Sequence, residues 1–454
     1  MVRSGFFFSC LMLLAIISLP AQAKSAATTE LITVFDHVQV LPMDSDQLLL
    51  NQRVLVQGDR ILAVAAAVEL EIPAGAVVID GQGRYLLPGL AEMHGHVPPT
   101  VDFSGMPARY LDDVLLLYLA GGVTTVRGML GHEHQLRLKE DIASGKRLGP
   151  TLYLAGPSFN QHTVTSPQQA RERVQQHKAE GWDLLKIHPG LNLEQYQAIA
   201  DEARKQGIDF AGHVPEAVGI EQAIKLGSRT IDHLDGYMAA LGGFDTPLTE
   251  QDMAELVALT KEYQVAVVPT QALWQTIIGA ADREHLESFD ELKYMPARVL
   301  SGWRRYLDSA SGAYYTGETA AIHAENRQRL LSALYQAGVT ILMGTDAPQL
   351  YSVPGLSLRR ELPLMAAAGM SHYDILRSGT VLVGEYFADQ DSFGQVRAGH
   401  RADLLLVDAN PLDDLSVLYQ PAGVMVRGQW LSRAELDAKL AEIEAARIAE
   451  NRGR

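Results

Sequence analysis

The chain has 454 residues, of which 47% are hydrophobic and 20% are charged, and its formal net charge is −16 at pH 7. This composition is typical of a globular protein and too apolar for a disordered one. The acidic balance argues against a nonspecific nucleic-acid binder and against a protein that binds anionic membrane surfaces. Solubility accounts for the charge, which therefore says little about a substrate.

The N-terminal segment has the pattern of a secretory signal peptide. Arg3 precedes an apolar run over residues 6–19, and Ala21-Gln22-Ala23 supplies the small residues of a cleavage site. The run is shorter than the roughly 20 residues that a membrane span requires. We therefore interpret residues 1–23 as a signal peptide and predict a periplasmic or secreted protein with no stable membrane span.

The cysteine content limits the chemistry of the mature chain. Cys10 is the only cysteine and lies inside the apolar run, where a lipid-attachment site is the lesser alternative. Without residues 1–23 the chain has no thiol, which excludes disulfides, a cysteine nucleophile and a thiolate metal site. Any bound metal must then be held by His, Asp, Glu or a modified Lys.

Short β-type segments separated by turns occupy the region after the signal peptide, at residues 32–40, 53–56, 61–65 and 77–79. Strands return near the C-terminus at residues 402–407 and 423–426. We predict that residues 24–87 and 391–432 form one small β-sandwich domain assembled from both ends of the chain. Residues 433–454 are expected to contain a C-terminal amphipathic helix that packs on the body.

The pattern changes between residue 86 and about residue 347, where apolar strand-like runs alternate with helical stretches, and we assign residues 88–390 to one domain. Such alternation is typical of βα units around a parallel sheet. The eight runs are 86–94, 123–129, 152–155, 184–188, 208–214, 230–234, 265–270 and 339–346. They predict an α/β protein with a (β/α)8 TIM barrel. The long connection 271–335 is either a lid over the barrel mouth or a helical insertion without a function.

Six polar residues fall at the ends of these runs or inside them. His94 and His96 end the first run and, as alternate residues, share one face of the strand. Lys186 lies inside the fourth run, although lysine is seldom buried without a partner or a function. His213 and His233 are the last residues but one of the fifth and sixth runs, and Asp346 ends the eighth. The carboxyl ends of barrel strands are where TIM-barrel active sites are built, so these residues predict an active site.

The segment 87–96, Leu-Pro-Gly-Leu-Ala-Glu-Met-His-Gly-His, and the closing segment 399–412 resemble those of the amidohydrolase superfamily. The resemblance covers nearly the whole mature chain and points to binuclear hydrolases related to Xaa-Pro dipeptidase and imidazolonepropionase-like proteins. It implies two divalent metal ions, with zinc as the first expectation. By this resemblance His94, His96 and Asp346 hold one ion, His213 and His233 hold the second, and carboxylated Lys186 bridges them.

The same resemblance implies a mechanism in which a metal-bridging hydroxide attacks the substrate carbonyl. Asp346 would be the catalytic residue that takes the proton and delivers it to the leaving nitrogen. Four further residues are candidates for substrate binding, each with a structural role as the alternative: His162, His188, Tyr237 and Arg127. Arg127 in particular would meet a substrate carboxylate or form a structural ion pair. A second His-x-His motif, at residues 132–134, is interpreted as a surface loop.

These observations predict an exported amidohydrolase that cleaves an amide or peptide-like C–N bond in a small-molecule substrate such as a dipeptide or an N-acyl amino acid. Two alternatives stay open. One is a mononuclear cyclic-amide hydrolase or deaminase, which would not use Lys186 as a ligand. The other is a non-catalytic binding protein on the same fold. The sequence leaves the substrate and the oligomeric state undecided, a homo-oligomer included.

Overall fold

The computed structural model describes Met1 and residues 31–98, 106–309 and 317–452. The predicted signal peptide, including Arg3 and Cys10, lies outside the described residues apart from Met1. The strands are β1 Ile32–Val40, β2 Leu49–Gln57, β3 Arg60–Ala66, β4 Val77–Asp80, β5 Tyr85–Pro88, β6 Leu90–Gly95, β7 Val123–Gly128, β8 Thr151–Leu154, β9 Leu184–Ile187, β10 Asp209–Gly212, β11 Thr230–Asp232, β12 Ala266–Val268, β13 Leu404–Val407, β14 Gly423–Val426 and β15 Gln429–Ser432.

The α-helices fill most of the chain between these strands. They are α1 Tyr110–Ala120, α2 His134–Ala143, α3 Pro167–Glu180, α4 Leu193–Gln206, α5 Ile220–Lys225, α6 Asp235–Leu241, α7 Glu250–Glu262, α8 Gln271–Ile278, α9 Arg283–Glu287, α10 Ala297–Asp308, α11 Gly317–Gln336, α12 Leu358–Ala367, α13 His372–Ser378, α14 Val381–Tyr386 and α15 Arg433–Arg452. Two short 3-10 helices occupy Asp290–Tyr294 and Leu415–Tyr419. Every helix of the described chain is too short or too polar to cross a bilayer.

Local sequence signals explain where individual helices begin and end. In α4, the Asn192 side chain accepts from the Gln195 backbone N–H, and the Gln195 side chain accepts in return from the Asn192 N–H. This reciprocal cap satisfies donors that have no partner inside the helix. The helix ends at Gly207, whose φ of 61° lies in the left-handed region that glycine adopts without strain.

The first and last strands form one eight-stranded mixed sheet, in the order β15-β14-β13-β5-β1-β2-β3, with β4 also paired to β1. The expectation that both chain ends contribute to one β-rich unit is thus confirmed. The described strands belong to a single sheet, however, where the sequence predicted a sandwich of two. Strand β1 accounts for the branching because it pairs with β4 near its start and with β5 near its end.

The predicted first run, 86–94, corresponds to two strands in different sheets. The chain leaves the mixed sheet after β5 and enters the parallel sheet at β6, with Gly89 between them. A Cβ on Gly89 would lie 2.2 Å from Thr124 Oγ1, so only glycine permits this close approach. A continuous apolar run could not reveal the change of sheet, because strands β5 and β6 are both buried.

Strands β6-β7-β8 and β9-β10-β11-β12 form two parallel sheets. Isolated bridges join Ala155 to Leu184 and Val267 to Ile341. Residues 340–346 lie between β12 and β6, because Leu342 N–H donates to Val267 O and Met93 N–H donates to Met343 O. These residues form no regular strand, so the prediction of an eighth strand is wrong. The segment nevertheless lies beside β6, where that strand was expected. The parallel α/β arrangement is present, and the described strands do not form one closed sheet.

Candidate metal centre

The six residues at the strand ends come together in one cluster. Its members are His94, His96, Lys186, His213, His233 and Asp346. His94 Nε2 lies 3.2 Å from Lys186 Nζ and 3.7 Å from Asp346 Oδ1. The ring centroids of His94 and His233 are 4.3 Å apart, and those of His233 and His213 are 4.5 Å apart. The sequence prediction that these side chains converge is therefore correct in its geometry.

Three members of the cluster form a buried donor set for a metal ion. His94, His233 and Asp346 each offer one ligand atom, and these atoms lie within 4.8 Å of one another. Asp346 also lies 2.6 Å from His96, between its Oδ1 and the imidazole Nε2. Imidazole nitrogen and carboxylate oxygen are ligands that divalent transition metals and zinc accept.

One imidazole nitrogen in this set lacks a partner. His233 Nδ1 lies 2.9 Å from Thr270 Oγ1, whereas His233 Nε2 is buried and makes no hydrogen bond within the described chain. A buried polar atom left unsatisfied costs about 1–3 kcal/mol. A bound cation would supply the missing partner, so the residues present fit a metal ion.

Burial sets the protonation state of these ligands. It lowers the pKa of His94 and of His233 well below the usual imidazole value, and the neighbouring Lys186 charge adds to the effect at His94. Both rings are therefore neutral at pH 7, which is the state that ligates metals. Burial also lowers the pKa of Lys186 to about 8, so about a tenth of its amine is uncharged at pH 7, far more than for an ordinary lysine.

Two carboxylates outside the predicted set orient two of the imidazoles. His94 Nδ1–H donates to Asp232 Oδ2 at 2.6 Å, with both side chains buried. His213 Nδ1 lies 3.2 Å from Asp235 Oδ2. Such contacts fix the tautomer and turn the other ring nitrogen toward a metal. Sequence reasoning missed Asp232, although a charged residue in the short apolar strand β11 is the same signal that identified Lys186.

Several residues of the centre have strained backbones. His233 has φ of 74°, Asp346 has φ of 61° and Thr270 has φ of 44°. A non-glycine residue in this region costs on the order of 1–3 kcal/mol, and such residues cluster at functional sites. Gly212 occupies the position where the backbone of β10 passes close to the Lys186 side chain. A Cβ on Gly212 would lie 3.2 Å from Lys186 Nζ, and the φ of Gly212 is 124°.

Glu92 supports the segment that carries Asp346. The two oxygens of its carboxyl group accept hydrogen bonds from the backbone N–H and the hydroxyl of Thr345, each at 2.6 Å. Burial raises the pKa of Glu92 to about 8. Glu92 therefore fixes the residue that precedes Asp346 and limits how far the Asp346 carboxylate can move.

Two of the predicted substrate-binding residues face elsewhere. Arg127 is fully buried, and its guanidinium contacts Asp232 at 3.2 Å and donates to Met93 O. Of the two roles considered for Arg127, the structure therefore shows the structural ion pair, with Asp232, and not a position open to a substrate carboxylate. Tyr237 is also fully buried, and its hydroxyl lies 2.8 Å from Thr260 Oγ1 of α7. The prediction for Tyr237 is corrected, because its helix turns the ring into the packing between α6 and α7.

The other two substrate-binding candidates differ in their surroundings. His188 is half-buried, and its ring stacks on His213 with centroids 5.1 Å apart, so it adjoins the cluster. His162 is exposed and lies 3.3 Å from Gln161, between His162 Nε2 and Gln161 Nε2. No contact among the described residues joins His162 to the six clustered side chains. Both assignments as substrate contacts stay predictions.

A cavity of about 490 Å³ lies beside the cluster and includes His96 in its wall. His132 also lines it and lies in an irregular, partly exposed segment, which agrees with the surface-loop interpretation. His134 is also exposed, but it is the first residue of helix α2 rather than part of a loop. Residues of α10, which belongs to the long connection 271–335, also line this cavity. The lid and the insertion without a function both stay open as interpretations of that connection.

Comparison with known proteins identifies a family that the chain matches over most of its length. The model for the amidohydrolase family matches residues 85–431. The chain is 22% identical to the ochratoxinase of Aspergillus niger over 450 residues, covering 85% of this chain and 83% of that protein. It is 24% identical to the imidazolonepropionase of Rubrobacter xylanophilus over 384 residues, covering 78% of this chain and 84% of that one.

Solved structures show the same likeness. A putative prolidase from Bifidobacterium longum superimposes with a TM-score of 0.68 at 25% identity, covering 91% of this chain and 99% of that one. A Xaa-Pro dipeptidase with methionine bound in its active site superimposes with a TM-score of 0.66 at 21% identity, covering 88% of this chain and all of that one.

Proposed function

This chain belongs to the amidohydrolase family of hydrolases that act on carbon–nitrogen bonds, and we propose that it cleaves an amide or peptide-like bond in a dipeptide or an N-acyl amino acid. The observation that carries the proposal is the buried set of His94, His233 and Asp346, whose ligand atoms lie within 4.8 Å of one another. In this proposal the parallel strands belong to a (β/α)8 barrel with the cluster at its carboxyl end, and the mixed sheet is a separate β-rich unit.

The six clustered residues would hold two divalent ions, with zinc as the first expectation. When bound, such ions polarise a carbonyl group and lower the pKa of a coordinated water to about 7. Lys186 would take part as a carbamate: its uncharged amine adds to carbon dioxide and releases one proton. The lowered pKa of Lys186 supports this step, because only the uncharged amine carries the lone pair that forms the new N–C bond.

In this proposal Asp346 moves the proton during the reaction. Its carboxylate, which lies between His96 and His233, accepts a proton from the attacking water. It then donates that proton to the nitrogen of the scissile bond, since an amide leaves poorly as an anion. The hydrogen bonds from Thr345 to Glu92 hold the preceding residue in place.

The proposal is tested with purified, zinc-loaded protein on dipeptides, N-acyl amino acids and cyclic amides. We expect hydrolysis of linear amides that a chelator abolishes and added metal restores. Hydrolysis of cyclic amides alone by a protein with one ion would favour the mononuclear cyclic-amide hydrolase or deaminase. The absence of turnover on every compound, with metal bound, would favour the non-catalytic binding protein.

We further propose that the enzyme is exported. The proposal is supported by the sequence pattern of residues 1–23, where a basic residue, an apolar run and a small-residue motif follow one another. Mass spectrometry of protein recovered from the periplasm and the medium should give a chain that begins after Ala23. An intact N-terminus in a cytoplasmic fraction would contradict export.

A further inference from the structure

The cavity beside His96 combines an apolar wall with cationic groups. Its apolar lining includes Val97, Leu130, Val299 and Trp303. Two arginines of α10, Arg298 and Arg305, also line it, and none of the described lining residues is acidic. The cavity therefore suits a ligand that carries both an apolar group and a negative charge.

The two arginines lie on one face of their helix, since residues seven apart are two turns apart. Arg298 and Arg305 form no ion pair within the described chain. Their neighbour Arg304 differs, because it is paired with Glu287. A guanidinium presents N–H donors in a fork that matches a carboxylate, so an arginine without a protein partner on a cavity wall is available for such a ligand.

Gly302 keeps the wall open beside Arg305. It lines the cavity one turn before that arginine, and a Cβ on Gly302 would lie 3.9 Å from Arg305 Nη2. The guanidinium of Arg305, an exposed residue, thus passes close to the glycine on the helix face that lines the cavity. Val299 and Trp303 line the same cavity.

Arg127, which the sequence analysis considered as a contact for a substrate carboxylate, cannot reach one. Arg127 is fully buried and paired with Asp232. A carboxylate entering beside His96 would instead meet the arginines of α10. We propose that Arg298 and Arg305 bind the free carboxylate of the substrate, and that the apolar wall receives its side chain. This inference rests on the proposed function and defines the substrate as an N-acyl amino acid or a dipeptide with an apolar side chain and a free carboxylate.

The test compares two substrates that share one scissile amide, N-acetylphenylalanine and N-acetylphenethylamine, which lacks the carboxylate. We expect the double variant Arg298→Gln/Arg305→Gln to lower kcat/KM for the first by about 10- to 100-fold, chiefly through KM. The same variant should leave kcat/KM for the second unchanged. Arg304→Gln is the matched control on the same helix and should preserve the ratio between the two substrates.

An equal loss on both substrates, or no loss on either, would overturn the assignment of the two arginines. A binding measurement separates this inference from the proposed function. Calorimetric titration with N-acetylphenylalanine should show binding by the metal-loaded wild type and at least tenfold weaker binding by the double variant, whether or not turnover occurs. If neither substrate is cleaved, the proposed function fails. The titration alone then decides whether Arg298 and Arg305 bind a carboxylate. Equal binding by both proteins, or no binding by the wild type, overturns the carboxylate site.

Discussion

Asp232 Oδ2 accepts a hydrogen bond from His94 Nδ1–H at 2.6 Å, and both side chains are buried. Arg127 contacts the same carboxylate at 3.2 Å, so Asp232 lies between a cation and an imidazole. The contact leaves His94 Nε2 facing Lys186 and Asp346. A carboxylate that orients a ligating imidazole normally affects metal affinity nearly as strongly as a ligand does.

We therefore expect Asp232→Asn to weaken zinc binding by about 10- to 100-fold, because the amide no longer fixes the His94 tautomer. Competition with a chromophoric chelator measures the affinity. Asp201→Asn, at an exposed position of α4, is the control and should bind zinc as the wild type does. Unchanged affinity in a folded Asp232→Asn protein would contradict the orienting role.

Replacement of Asp346 by Asn should remove turnover while the protein keeps at least part of its metal. The amide retains an oxygen ligand but cannot shuttle a proton, and loss of such a group lowers kcat by about 10²- to 10⁴-fold. Elemental analysis and single-turnover kinetics measure the two effects. Asp389→Asn, at an exposed position, should behave as the wild type. Near-normal turnover in Asp346→Asn would end the assignment of Asp346 as the proton carrier.

Lys186→Ala should lower the metal content from two ions per chain to one or fewer, because the bridging carbamate cannot form. Short carboxylic acids added to this variant should restore part of the activity, since they supply the missing anion. In the wild type, incubation with ¹³C-bicarbonate should give a carbamate signal by NMR that Lys186→Ala lacks. Lys178→Ala, at an exposed position of α3, is the control. A single ion that is unaffected by Lys186→Ala would support the mononuclear alternative.

The acid stability of the protein should depend on His177. This side chain is 2% exposed and packs against Phe159 with ring centroids 5.0 Å apart. Burial lowers the pKa of His177 to about 4, and the charge of Arg173 contributes. The unfolded chain binds a proton at this residue below about pH 6.5, whereas the folded chain binds it only near pH 4. The free energy of unfolding therefore falls as the pH falls through this interval.

Urea titrations of the metal-free protein at pH 7 and pH 4.5 measure this effect. We expect the wild type to lose on the order of 2 kcal/mol more than His177→Phe between these pH values. His134→Gln, at an exposed position of α2, should lose as much as the wild type. Parallel losses in the wild type and His177→Phe would show that the buried imidazole is not responsible.

Much of the fold could be predicted because buried strands are apolar runs of characteristic length. The prediction failed where hydrogen bonding rather than hydropathy decides the conformation. Residues 340–346 have the composition of a strand and hydrogen-bond to β12 and β6, yet they form one isolated bridge, at Ile341, and end at the positive φ of Asp346. Likewise, nothing in the run 86–94 marks the point at which the chain changes sheets.

The site was predictable where the residue type and its position in a strand agree, as for Lys186 and His233. It was not predictable where the partner is distant in sequence. Arg127 and Asp232 are far apart in the chain, so neither position reveals that the other neutralises it. Similarly, His132 and His134 share one motif, but His132 lines the cavity whereas His134 begins helix α2, and the motif does not reveal this difference.

The pairing of β5 with β13 has a consequence for how the protein is synthesised. Pro88 of β5 lies opposite Leu404 of β13. One edge of β5 therefore stays unpaired until most of the polypeptide has left the ribosome. During that interval the unpaired backbone of β5 is a template for wrong partners, since open strand edges promote aggregation. The mixed sheet can therefore be completed only late in synthesis, because β5 gains this neighbour only after the intervening segments have been made.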